Sequence, residues 1–77
     1  MNTYTIEEVE RHNKIEDCWI IIDGKVFDVT EFAIIHPGGK QLIYSVGGTD
    51  ATEYFHELHR EEILLEVANE YMIGELI

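Results

Sequence analysis

The sequence predicts an α+β domain, a small sheet beside four or five short helices. Three observations carry this. Asp23-Gly24 stands between two β-rich runs in "DCWIIIDGKVFDV". Capping residues at Thr5, Thr30 and Thr49 or Asp50 each precede a short stretch with apolar side chains at helical spacing. The closing segment, "YMIGEL", has the composition of one last strand. The 77 residues contain no repeat, linker or low-complexity stretch, so residues 1–77 are expected to form one domain. A domain of this size buries only roughly 60% of the surface its unfolded chain exposes, and a bound cofactor is one way to reinforce so small a core.

In chain order, "TIEEVERHN" opens on Thr5 as N-cap with Glu8 three residues later, the pattern of a capping box, and continues with Ile6 and Val9 on one face. That gives a first short helix. Asp-Gly is the strongest short hairpin signal, so Trp19 to Ile22 and Lys25 to Asp28 are expected to pair. Thr30 is expected to cap a helix through Ile35, ended by His36-Pro37 because the residue before proline is pushed out of the α region. "KQLIYSV" gives one or two helical turns before Gly47-Gly48. "TDATEYFHELH" restarts a helix, and "REEILLEVANEY" forms another, with Ile63, Leu64, Val67 and Ala68 turned inward.

Sixteen acidic against five basic residues leave a net charge of −11. Such a chain is a poor partner for nucleic acid or anionic membrane surfaces; a basic partner is allowed by the charge but not required by it. The longest apolar runs, "WIII" and "FAII", fall far short of the about 20 residues a membrane helix needs, and the N-terminal segment has no apolar core of a secretory signal. Cys18 is the only cysteine, which fits a buried small side chain in a reducing compartment. A soluble, cytoplasmic monomer is expected.

The histidines carry the chemistry. His12 lies among polar residues at the end of the first helix and is expected to be a solvated imidazole. His36 sits on a chain corner made by Pro37-Gly38-Gly39, and His56 and His59 share a helix face. Zinc held by His36, His56 and His59 is disfavoured, because zinc sites in domains this small usually use thiolates and no H-E-x-x-H pattern is present. A pair, His36 and His59, needs fewer assumptions. Between them lie Leu42, Ile43, Val46, Phe55 and Leu58, and Phe32 and Phe55 each stand one helical turn before a histidine. A planar apolar macrocycle with a central metal, such as haem, would fill a slot of this kind. On pattern alone, ordinary core packing with two buried neutral histidines explains these residues as well.

"WIIIDGKVFDVTEFAIIHPGGKQL", followed by "GGTDATEYFHELH" and "YMIGEL", resembles the cytochrome b5 haem-binding domain along nearly the whole chain. The resemblance implies short helices in two hairpins forming a haem slot beside a small mixed sheet. It implies that His36 and His59 are axial ligands of one non-covalent b-type haem, with Ile22, Val29, Phe32, Leu42, Ile43, Val46, Phe55 and Leu58 lining the pocket. Arg60, where microsomal members commonly carry serine, would lie near a haem propionate. "GGTDAT" is one residue longer than the microsomal form and Phe55 to His59 one residue shorter, as in domains fused to oxidoreductases. The microsomal members continue into a membrane anchor, whereas this sequence stops at Ile77.

Two ligands on one iron leave no open position, which implies a one-electron carrier rather than an enzyme; no C-x-x-C-H attachment pattern is present. A reductase and an acceptor are the expected partners, docked at the acids Glu53, Glu57, Glu61 and Glu62. The alternative is a binding module like the steroid-binding relatives, which usually lack this histidine pair.

Overall fold

The computed structural model describes residues 2–35, 40–58, 66–67 and 69–77, and within these the side chains of Ile35, Lys40, Leu42 and Leu58 are left undescribed. Along the chain run β1 (Thr3–Tyr4), α1 (Ile6–Glu10), β2 (Asn13–Lys14), β3 (Asp17–Ile22), β4 (Lys25–Asp28), α2 (Thr30–Ile35), α3 (Lys40–Ser45), α4 (Thr52–Leu58) and β5 (Met72–Leu76). Residues 66–67 and 69–71 are helical. Of the helix expected over "REEILLEVANEY", Val67 is buried, while Ile63, Leu64 and Ala68 lie outside the described residues.

The Asp-Gly turn forms as expected: Ile22 faces Lys25 across a two-residue loop in which Asp23 and Gly24 have φ of 51° and 75°. Positive φ at both central residues is the geometry that matches the twist of paired strands, and Asp and Gly reach it at low cost. The sheet has five strands in the order β1-β5-β4-β3-β2. β5 runs antiparallel to β4 and parallel to β1, which makes the sheet mixed. Between the pairs Val26–Gly74 and Phe27–Met72, Ile73 is unmatched and bulges from the ladder. Gly74 is required by close approach, since a Cβ there would stand 2.5 Å from the Asn2 carbonyl oxygen and 2.6 Å from the Tyr4 ring.

β1 and β2, two residues each, were not anticipated from the sequence. β1 is held by the Glu75 N–H on the Asn2 carbonyl and the Ile77 N–H on the Tyr4 carbonyl. β2 turns back onto β3 through Asn13–Cys18 and Lys14–Asp17 pairs.

The uninterrupted "WIII" run follows from both faces of β3 being covered, since alternate residues of a strand point to opposite faces. Cys18, Ile20 and Ile22 join Phe27, Val29, Ala33, Ile43, Ala51, Phe55 and Val67 in the main core on the helical side. Ile21, with Val26 and Val9, packs on the other face beneath Tyr4, Trp19, Ile73 and Leu76.

Thr5 caps α1 by accepting the Glu8 N–H at 3.2 Å. Thr30 does not cap α2 with its own hydroxyl. The Asp28 carboxylate accepts the Thr30 N–H and O–H, and Thr30 Oγ1 accepts the Cys18 N–H at 3.0 Å, fastening α2 to β3. Of the two residues that could begin α4, Asp50 serves: its Oδ1 accepts the Thr52 N–H at 3.0 Å.

His12 is not a solvated imidazole. Its ring stacks on the Trp19 indole with centroids 3.5 Å apart and planes 6° from parallel, and Nδ1 donates to the Asp17 carboxylate at 2.7 Å. The β2–β3 turn brings together what the local polar sequence kept apart.

Candidate functional site

α2, α3 and α4 stand on one face of the sheet, with α2 packed against α3 and both α2 and α4 resting on β3. α4 is fixed at its start by the chain before it. The Gly48 N–H donates to the Trp19 carbonyl, the Ile21 N–H to the Thr49 carbonyl and the Ala51 N–H to the Ile21 carbonyl, so residues 48–51 lie along β3 like a short extra strand. Gly48 makes the bend into this segment at φ of 76°.

Six of the residues expected to line a slot are described, and they meet in one apolar cluster. Ile22, Val29, Ile43 and Phe55 are buried members; Phe32 and Val46 pack against them, partly exposed. Each comes from a different piece of backbone: the end of β3, the link from β4 to α2, α2, α3, the turn after α3, and α4. The side chains of Leu42 and Leu58 and the whole of His36, His59, Arg60, Glu61 and Glu62 lie outside the described residues. α2 is described as far as Ile35 and α4 as far as Leu58, and His36 and His59 are the next residues in the sequence.

His56, the competitor of His59, has another partner. Its Nε2 donates to Asp23 Oδ2 at 2.8 Å, across from the hairpin turn, and both side chains are about half exposed. Glu53 and Glu57, on the same helix, are exposed as expected for a polar face.

Tyr71, which the sequence gave no reason to place here, packs its ring on Phe32 with centroids 5.5 Å apart. Burial, with Glu70, Glu31 and Glu66 nearby, raises the pKa of its phenol and keeps it neutral. Its signal was only an aromatic residue just before the last strand. Cys18 lies in the core under this region, and burial, reinforced by Asp28 and Asp17, pushes its thiol up to about 11; it is a packing residue and not a nucleophile.

Residues 5–77 match the family model of the cytochrome b5-like heme/steroid binding domain. The chain belongs to the cytochrome b5 family. Among curated relatives it is 44% identical over 72 residues to cytochrome b5 isoform E of Arabidopsis thaliana and 46% identical over 70 residues to cytochrome b5 of Brassica oleracea. These alignments take in 94% and 91% of this chain but 54% and 52% of the relatives, so it spans about half their length. Among solved structures, cytochrome b5 of Ostreococcus tauri virus 2 superposes with a TM-score of 0.87 at 40% identity, covering 95% of this chain and 94% of that one. Cytochrome b558 of Ectothiorhodospira vacuolata, described as a prokaryotic homologue of cytochrome b5, gives 0.87 at 29% identity with 99% of both chains covered. The fold is that of cytochrome b5.

The described residues of this cytochrome b5-like domain fit a haem. The six described side chains expected to line a slot are all aliphatic or aromatic, and no buried polar or charged side chain occurs among the described residues. An apolar ring loses nothing by contact with such a lining, whereas a polar ligand would lose its hydration uncompensated. Among the described residues no helix is long and apolar enough to cross a membrane.

Proposed function

We propose that this domain is a one-electron carrier that holds one non-covalent b-type haem between His36 and His59. What supports the reading is that α2 and α4 each contribute a phenylalanine, Phe32 and Phe55, to one apolar cluster, and that the described part of each is followed in the sequence by a histidine. A bound haem supplies a single reversible electron-accepting centre. His36 and His59 would hold the haem through neutral imidazole nitrogens. Val29, Ile43 and Phe55, buried in the apolar cluster, would keep water from it, and Phe32 and Val46, partly exposed, would border it. Held by two histidines, such a centre would be suited to taking up and giving back one electron. Arg60 would pair with a propionate by a charge-assisted hydrogen bond.

The electron donor and acceptor are proposed to be a reductase and an acceptor protein with basic patches, met by Glu53, Glu57, Glu61 and Glu62. The net charge of −11 supports this. The carrier is proposed to be a cytoplasmic, monomeric domain.

Optical and EPR spectra of the haem-loaded protein test the ligand pair. A low-spin spectrum, unchanged by carbon monoxide on reduction, is expected. His36→Ala and His59→Ala should each abolish low-spin character, and His56→Ala should retain it. A low-spin spectrum that survives His59→Ala but not His56→Ala would assign the wrong histidine.

A further inference from the structure

The hairpin turn and α4 touch at two points on one helix face. Asp23 donates its backbone N–H to Thr52 Oγ1 at 3.0 Å, and its carboxylate accepts from His56 Nε2 at 2.8 Å. Residues 52 and 56 are four apart and therefore lie one above the other on α4. Asp23 is itself fixed by the turn, with φ of 51°, and Thr52 is held by Asp50 Oδ1. A rigid turn thus grips the first helical turn through its backbone and the second through its side chain.

We propose that Asp23 and His56 form a strap that sets the position and direction of the last turn of α4, and through it the imidazole of His59. His56 is a positioning residue for the ligand and not a ligand itself. The inference rests on the reading of His59 as an axial ligand.

The physical case starts from helix length. α4 has seven residues, too few to be stable without tertiary ties. Its start is bonded to β3 and its middle is anchored inward by Phe55, which is fully buried. Beyond the first turn, the His56–Asp23 contact ties its exposed side to the hairpin turn. His59 follows His56 by three residues in the sequence, so an error in the direction of α4 would be passed on toward a ring whose plane and distance must suit a metal. Nε2–H donates to the carboxylate in the neutral Nε2–H tautomer and in the charged imidazolium alike, so the strap does not depend on protonation. The pair is half exposed, and exposed pairs add little to global stability. Its effect is therefore local, in ligand geometry and haem retention.

The test uses the haem-loaded protein with Asp23→Gly, which keeps the positive φ while deleting the carboxylate, His56→Ala, the double variant, and His56→Gln, which keeps a donor. Three quantities are read: the rate of haem transfer to excess apomyoglobin, the g-values and width of the ferric low-spin EPR signal, and the thermal midpoint. Both single variants should lose haem roughly two- to fivefold faster, the double variant no faster than either, and His56→Gln should recover most of the difference. The EPR signal should stay low-spin but shift or broaden, with the thermal midpoint little changed, a combination that a merely structural contact would not give. Additive effects of the two changes, or wild-type transfer rates and EPR signals, would overturn the strap while leaving His59 as ligand. A low-spin spectrum that persists in His59→Ala would overturn the ligand reading and the strap with it.

Discussion

Replacing Phe55 by alanine separates its place in the core from its proposed role as slot lining. The side chain is fully buried, in the cluster that also holds Val29 and Ile43, and its ring meets Tyr54 edge-on with centroids 5.3 Å apart. Deleting a buried phenylalanine costs about 3–5 kcal/mol, depending on how far the surroundings collapse. The expected loss is therefore at least about 3 kcal/mol. For 77 residues the whole stability is about 4–12 kcal/mol, so the haem-free variant should lose about a quarter to three quarters of it. Urea titration followed by circular dichroism measures this in the haem-free form, and the same titration with haem followed in the Soret band measures the loaded form. Because haem binds only the folded state, any loss of haem affinity adds to the loss of stability. The loaded protein should lose more than the haem-free protein, and Phe55→Leu should restore most of both. A haem-free loss below about 1 kcal/mol would refute the packing argument. Equal losses in the two forms would leave Phe55 in the core and outside the slot.

Two further outcomes are expected. The Cys18 thiol ionises near 9.0 in its ordinary state and near 11 in the folded chain, so its contribution to stability is complete below pH 9 and falls as pH rises between those values. The slope is at most about 1.4 kcal/mol per pH unit; denaturant midpoints across this range should fall accordingly, and Cys18→Ala should flatten them. The proposed docking face predicts that electron transfer to a basic partner, followed by stopped flow, slows steeply as salt shortens screening to about 8 Å and below. Glu53→Gln with Glu57→Gln should flatten that dependence, and rates indifferent to salt would move the docking site elsewhere.

Features set by neighbouring residues were legible in the sequence. Asp23-Gly24 specifies its hairpin because few other residues reach that backbone geometry, and Thr5 caps α1 within its own turn. What was missed depends on distant partners. β1 is two residues long and exists because Gly74 lets it approach β5. Nothing beside His12 in sequence announces Trp19, and nothing beside His56 announces Asp23, 33 residues away. Thr30 reads as a cap from its position, yet the hydroxyl goes to Cys18, 12 residues earlier. His36 and His59 as ligands remain a proposal, because both lie outside the described residues.

The segment 48–51 has a consequence for solubility. Beyond β2, among the described residues, the outer rim of β3 is covered by this segment, through the Trp19 carbonyl and both backbone groups of Ile21. Were it to lift away, the freed rim would present unpaired donors and acceptors flanked by Trp19, Ile20 and Ile21, a ready template for a strand from another molecule. The turn that sets α4 in place therefore also guards the sheet against self-association, and a change such as Gly48→Val, unable to hold φ of 76°, is a route to aggregation as much as to lost haem.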